Sequence, residues 1–340
     1  MSHAVLRNVT LIDGTGAGPK PNTMIVIHDR QIEAIGPVGS VNYPEDSTVY
    51  DAGGRYALPG LIDSHIHLTQ AGAPDPTATL KELPSYVAIR ATVHARALLN
   101  AGITTVRDGG SIIYADIALR QAVDAGLVPG PRICACGYGL KMTGGHGDPV
   151  YSPVVHLEQP GLADGPDQMR KVARTNLKMG ANHIKIISAS GGVMTEGSEP
   201  GAAQYTVEEM QAAIDEAHRF GKRAMAHAHG TKAIKNAILG GIDSIEHGSY
   251  LDDEVIDMML RRGVFLVPTL LASHRIVEHG EKGGIPEYIV RKARQVRDDA
   301  LASFNRAVKA GVKIAMGTDA GMPYNFHGEN LNELSLMVKG

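Results

Sequence analysis

Two histidines spaced i, i+2 end the run Leu58-Pro-Gly-Leu-Ile-Asp-Ser-His-Ile-His67. Pro59-Gly60 breaks the chain, and Leu61-Ile62 opens an apolar run of strand character. On a strand, residues i and i+2 point to the same side, so His65 and His67 face one place. Two converging neutral imidazoles are the first requirement of a zinc-class cation. Alone, the pair reads equally well as two surface histidines beside a loop. More groups of the same chemistry follow: Lys185 in His-Ile-Lys-Ile-Ile, His227 and His229 in Ala-Met-Ala-His-Ala-His-Gly, His247 in Ser-Ile-Glu-His-Gly, and Asp319 in Met-Gly-Thr-Asp-Ala-Gly. A lone histidine in an apolar strand is more often a hydrogen-bonded core residue than a ligand. Six candidates (His65, His67, Lys185, His227, His247 and Asp319), all falling toward the same end of five strands, are hard to obtain that way. Lys185 is flanked by isoleucines, which argues against free solvation, because an unpaired buried ammonium is costly. An ordinary ion-paired lysine is the simpler alternative.

The elements that must position these groups alternate. Apolar runs of strand length fall at 61–67, 104–107, 132–136, 183–187, 223–227, 244–247, 264–267 and 313–316. Helical patterns lie near 84–100, 115–125, 166–179, 207–220, 231–239, 253–262 and 286–309, several of them ending at Gly. The strands are too apolar to alternate, which implies a parallel sheet covered on both faces. Eight strands close an α/β (β/α)8 TIM barrel, whose active site lies at the C-terminal strand ends, where the candidates fall. Residues 4–56 read instead as short strands and turns, a small β unit that cannot bury both faces by itself. We therefore expect a small β-sandwich part at 1–56 and the catalytic barrel at 57–340.

Composition narrows the function. The chain has 340 residues, 43% of them hydrophobic, ample for a large core. A net charge of -3 carries no polyelectrolyte signal, so nucleic acid and anionic membrane are poor partners. Fifteen histidines against four Phe and no Trp suit metal chemistry better than base stacking. Cys134 and Cys136, spaced C-x-C on a strand, point to opposite faces, so we expect two small buried hydrophobes and no internal disulfide. The low cysteine usage, the absence of a signal pattern and the lack of a bilayer-length apolar run lead us to expect a cytoplasmic protein. We expect a small-molecule substrate and assembly as a homo-oligomer.

The motifs carry a resemblance. Leu58-Pro-Gly-Leu-Ile-Asp-Ser-His-Ile-His67, Gly102-Ile-Thr-Thr-Val-Arg-Asp108, Thr143-Gly-Gly-His-Gly-Asp148, Ile184-Lys-Ile186 with Ser190-Gly-Gly-Val193, Ala226-His-Ala-His-Gly230, Ile245-Glu-His-Gly248 and Gly317-Thr-Asp-Ala-Gly321 occur in order over nearly the whole chain. In these the chain resembles the amidohydrolase superfamily, in its imidazolonepropionase-like and prolidase-like branch. The resemblance implies a barrel with a small β-sandwich built from both termini, and a binuclear centre, usually of zinc. His65, His67 and Asp319 would hold one divalent metal, and His227 and His247 the other. Lys185, carboxylated on its amine, would bridge the two. The implied mechanism lowers the pKa of a shared water to give hydroxide near neutral pH, with Asp319 taking its proton and passing it to the leaving amine.

His146, in the glycine-rich loop after the third strand, is our candidate to hydrogen-bond the carbonyl oxygen or the tetrahedral oxyanion; a loop-stabilising role is the alternative. His229 shares a face with His227 and is either a substrate contact or a support for the ligands. Tyr138, the run 190–192 and His274 are further candidates for the pocket wall, and Asp108 reads as structural. The leading substrates are dipeptides with a free C-terminal carboxylate, Xaa-Pro or a related pair, and N-acyl amino acids. Cyclic-amide opening of the imidazolonepropionase type and deamination are alternatives within enzymes, and a non-catalytic scaffold is the alternative outside them. Deaminases of this fold place a Glu three residues after the fifth-strand histidine, where this chain has Gly230. Two departures stand out. The segment from Lys185 to Ser190-Gly191-Gly192 is one residue longer than the family spacing. The chain also stops at Gly340, where the family continues through a last helix and strands that return to the sandwich; 331–338 is then a partial eighth helix of a truncated barrel.

Overall fold

The computed structural model describes residues 3–75, 77–152, 154–155 and 158–340. The chain divides into two compact units, Met1–Leu61 and Ile62–Gly340.

The first unit is a five-stranded sheet of β1 (His3–Leu11), β2 (Lys20–His28), β3 (Gln31–Pro37), β4 (Thr48–Asp51) and β5 (Tyr56–Ala57), in the order β3-β2-β1-β4 with β5 also on β1. The runs around Val5 and Val9 are one strand. They are joined through Asn8 at φ 59°, where the register against β2 shifts. Asn tolerates the left-handed region, so the chain bulges there without ending the strand.

The second unit is the barrel. Its elements are β6 (Leu61–Ile66), α1 (Pro84–Asn100), β7 (Ile103–Asp108), α2 (Ala115–Asp124), β8 (Arg132–Cys134), α3 (Gly165–Met179), β9 (His183–Ile186), α4 (Val207–Arg219), β10 (Arg223–Ala228), α5 (Thr231–Leu239), β11 (Ser244–His247), α6 (Asp253–Arg262), β12 (Phe265–Val267), α7 (Leu270–His279), α8 (Glu287–Ala310) and α9 (Leu331–Lys339). Two runs of neighbours, β6-β7-β8 and β9-β10-β11-β12, make the wall. Leu140 joins them, its N–H donating to Lys185 O at 2.8 Å and its carbonyl accepting from Ile187 N–H at 2.7 Å. The eighth position is extended but forms bridges rather than a ladder. Leu266 pairs with Ile314, and Ser64 N–H donates to Met316 O at 2.8 Å, which closes the ring.

Burial on both faces explains the near-continuous apolar strands. In β9, Ile184 and Ile186 pack with Met169, Ala173, Met210 and Ala213 of α3 and α4. His183 and Lys185 have the opposite parity and face the barrel interior, fully buried. Truncating Ile184 or Ile186 to Ala would cost about 2–5 kcal/mol. Helices α3, α6 and α8 stop at Gly180, Gly263 and Gly311, each left-handed. The sequence patterns place every α-helix of this unit except α7, whose N-cap residue Thr269 makes no side-chain cap hydrogen bond. Cys134 and Cys136 are both free thiols, the second buried. No helix among the described residues is long and apolar enough to cross a membrane.

Candidate active site

The C-terminal end of the barrel gathers the predicted groups around one cavity of about 480 Å³, whose wall includes His65, His67, Tyr138, His146, Lys185, His227, His229, His247 and Asp319. Strand parity places the first of them. His65 and His67 leave the end of β6 on the interior side. Asp319 arrives from the eighth position, held there by its N–H, which donates to His65 O at 2.7 Å. Asp319 Oδ1 then lies 3.5 Å from His65 Nε2 and 3.2 Å from His67 Nε2. Lys185 Nζ lies 3.3 Å from the same His65 Nε2.

His247 breaks the parity rule. Ile245 faces the helices, and His247, two residues on, would follow it outward on a regular strand. Its φ of 73° turns the ring back among the other imidazoles. Asp319 at φ 59° and Thr269 at φ 49° are left-handed as well. A non-glycine residue in that region costs of the order of 1–3 kcal/mol, and here the strain falls on the residues that build the site. His247 is shared by two donor groups, His65–His247–Asp319 and His227–His229–His247, whose donor atoms lie within 4.8 Å of one another. His229 thus stands among the potential ligands as well as in the cavity wall.

Glu246 and Arg107 were not singled out from the sequence. Glu246 is fully buried and accepts from His65 Nδ1–H at 2.8 Å, Arg107 Nη2–H at 2.8 Å and Ser244 O–H at 2.6 Å. Burial pushes its carboxyl up, but the Arg107 guanidinium and the His65 hydrogen bond outweigh burial and hold it down at about 2. The signal was present: Glu246 has the interior parity of Ser244, and an interior carboxylate between strand-end histidines needs a partner.

The tautomers follow from these partners. His65 Nδ1 donates to Glu246, and His67 Nδ1 donates to Gly110 O at 3.1 Å. Both Nε2 atoms therefore present lone pairs, and they present them to the Asp319 carboxylate. Asp319 Oδ1 is buried and has no hydrogen-bond donor. Lone pairs facing an anion repel unless a cation lies among them, so the donor set fits a divalent metal. Burial, with the charge of Lys185, lowers His65 to about 4, and burial also depresses the Lys185 amine. Burial and mutual repulsion hold His227 and His247 well below the usual imidazole range. His65, His227 and His247 are thus uncharged imidazoles, the form that ligates, whereas at His67 burial is outweighed by the Asp319 carboxylate, which raises that ring above its usual value.

His146 forms the adjoining wall, its ring 4.2 Å from that of His227. Gly192 makes room for it: a Cβ at that position would stand 2.4 Å from His146 Cε1. Tyr138 lines the cavity, but its hydroxyl accepts from Ile113 N–H at 2.9 Å. Asp108 accepts from Leu68 N–H and Gly110 N–H, a structural role that shapes the carbonyl facing His67. In the run 190–192, Ser190 donates to Gly191 O and accepts from His229 N–H, while Gly191 O faces His227 Nε2 at 3.2 Å. His274 is exposed on α7 and outside the cavity wall, so its expected place there is corrected. Residue 274 shares the solvent-facing side of α7 with Glu278 one turn further on, while Ala272 and Ile276 hold the buried side.

Known proteins share this architecture. The amidohydrolase family model matches residues 56–339. An ochratoxinase of Aspergillus niger is 31% identical over 333 residues, covering 91% of this chain and 67% of the relative. A crystal structure of a Xaa-Pro dipeptidase with bound methionine in the active site superposes with a TM-score of 0.91 at 35% identity, covering 99% of this chain and 84% of that one. A prolidase complexed with N-methylphosphonate-L-proline gives 0.86 at 32%, covering 97% and 80%. With a barrel, a cluster of potential donor groups at its strand ends and these relatives in agreement, the chain belongs to the amidohydrolase family and is a hydrolase of carbon–nitrogen bonds.

Proposed function

We propose that this chain is a binuclear, metal-dependent amidase that cleaves dipeptides of the Xaa-Pro type or N-acyl amino acids. The observation that carries the reading is the placement of Lys185. Lys185 is 2% exposed, and its amine lies 3.3 Å from His65 Nε2, beside two donor groups that share His247. A buried amine depressed by desolvation is available in its neutral form. It can add carbon dioxide and release a proton, becoming a carbamate whose two oxygens suit two cations. In this reading His65, His67 and Asp319 hold one ion and His227 and His247 the other, with zinc matching the imidazole and carboxylate donors. When bound, the ions supply a hydroxide nucleophile near neutral pH and polarise the scissile carbonyl.

The remaining work belongs to the chain. Asp319 is held ionised against the effect of burial by its contacts with His65 and with His67, the ring it draws toward the charged form, and in this reading it takes up a proton and delivers it to the leaving amine. Thr195 Oγ1 accepts from Gly147 N–H at 2.9 Å and faces His146 Nδ1 at 3.1 Å. Its own O–H can donate to that nitrogen, which leaves His146 Nε2–H free for the carbonyl oxygen. Burial lowers His146 to about 3, so it acts as a neutral donor. The dipeptidase, prolidase and ochratoxinase relatives support this substrate class. A deaminase is disfavoured on geometry: a Cβ at Gly230 would stand 2.3 Å from Gly201 O, so no carboxylate side chain fits there.

Metal analysis with activity tests this reading. Two zinc ions per chain, loss of amide hydrolysis on chelation and its return on reloading are expected. Lys185→Ala should abolish turnover and remove a carbamate carbon signal seen with carbon-13-labelled bicarbonate. Fewer than one metal per chain, or full activity in the variant, would sink it.

A further inference from the structure

Among the described residues, two primary amines line the active-site cavity, Lys185 and Lys141. Lys185 belongs to the ligand cluster. Lys141 has no such partner. Its backbone is fixed on both sides, with its N–H donating to Gly161 O at 3.0 Å and its carbonyl accepting from Ala163 N–H at 2.9 Å. It follows Leu140, which pairs with the end of β9 on either side of Ile186. A Cβ at Gly147 would stand 3.0 Å from Ile187 and 3.6 Å from the Lys141 stem, so the lysine runs beside the residue two places after Lys185.

The half-buried Nζ donates to a single neutral acceptor, Gly147 O, at 2.8 Å. An ammonium has three donors, so two are left over. Among the described residues no carboxylate pairs with it. Asp148 acts on it only through space, because its own oxygens accept from Gly144 N–H and Gln159 Nε2–H, each at 2.8 Å. A desolvated cation with one carbonyl for company is costly, and an incoming anion relieves that cost. The other charged groups of the wall outside the ligand cluster, Asp75, Glu158 and Glu196, are acids and would repel an anion. Gly147 also follows His146 directly, so the amine is anchored to the loop that carries the carbonyl donor.

We propose that Lys141 binds the α-carboxylate of the amino acid on the leaving-group side of the scissile amide. This makes the enzyme selective for substrates ending in a free carboxylate. The inference rests on the amidase reading above and assigns its specificity to one residue.

The test uses zinc-loaded enzyme with N-acetyl-L-methionine and its C-terminal carboxamide, and L-methionine against L-methioninamide as product inhibitors. Wild type should prefer the acid in both pairs. In Lys141→Met and Lys141→Gln, KM for the acid should rise at least about tenfold with little change in kcat. Inhibition by methionine should weaken to match, and the carboxamide should be unaffected. Lys141→Gln keeps a donor for Gly147 O and so guards against a folding defect in the Met variant. Lys141→Arg should retain the acid preference. A KM shift below twofold in both neutral variants, or equal losses on acid and carboxamide, overturns the proposal while leaving the amidase reading standing. A wild type that cleaves neither this pair nor any dipeptide or N-acyl amino acid overturns the amidase reading itself, and this inference with it.

Discussion

The hydroxyl of Thr269 lies 2.6 Å from Nδ1 of His247. It orients a residue shared by both donor groups, and for that reason it does not cap α7, the helix Thr269 precedes. The cap comes from elsewhere in the chain. Glu333 of α9 accepts from Leu270 N–H at 2.9 Å and Leu271 N–H at 2.7 Å, one on each carboxylate oxygen. A helix start is thereby satisfied in trans, leaving Thr269 free to serve the site.

Removing that carboxylate should be felt in stability first. Glu333→Ala strands two buried N–H groups, which costs about 2–4 kcal/mol in urea unfolding. Glu333→Gln keeps an acceptor oxygen and should cost clearly less. Equal losses in the two variants would mean that packing of the α9 side chain, rather than capping, is what α7 depends on.

Glu246 should control metal affinity without touching metal. Glu246→Gln removes the anion shared by His65 and Arg107 and lets the His65 ring choose the wrong tautomer. Loss of such an outer hydrogen bond costs about 10–100-fold in metal affinity. Competition with a chelator, followed by metal analysis, gives the number. An unchanged affinity would show that the pair with Arg107 is structural only.

Gly192 offers a test of His146 that leaves His146 itself in place. Its φ is not in the left-handed region, so Ala is tolerated by the backbone, but the methyl would meet the imidazole at 2.4 Å. Gly192→Ala should lower kcat about 10²-fold by displacing the carbonyl donor. Metal content should stay at the wild-type level. A variant that loses metal instead would place the effect on His227, whose ring lies tilted against that of His146.

Acid should destabilise the fold through histidines that hold no metal. His183 Nε2–H donates to Asp108 O at 3.0 Å, and His327 Nε2–H donates to Gln70 O at 3.2 Å, with its ring stacked 4.3 Å from His94. Burial lowers each to about 3. The unfolded imidazole titrates near 6.5, so between that pH and about 3 the unfolded chain binds more protons. The stability these groups contribute is complete above about pH 6.5 and falls as pH drops toward 3. Urea midpoints measured across this window should decline for wild type and decline less for His327→Gln. Parallel curves would place the acid sensitivity in other groups.

The sequence by itself determined the barrel and which strand ends carry most of the candidate donor groups. Strand and helix periodicities are local, glycine stops are local, and His65, His67, Lys185 and His227 sit at strand ends whose parity is written in their neighbours. The eighth position was visible as an apolar run, although the structure gives it bridges in place of a ladder. Helix α7 was invisible because its start signal, Glu333, lies more than sixty residues away. Glu246, Arg107 and Thr269 act through partners brought from elsewhere in the fold, and Lys141 matters only because the finished cavity leaves its amine with a carbonyl, and no carboxylate, in hydrogen-bond contact. His247 is the clearest division between the two. The sequence marked it as a candidate, but regular strand geometry would turn it outward, and only a positive φ, held in place by the surrounding barrel, brings its ring inside.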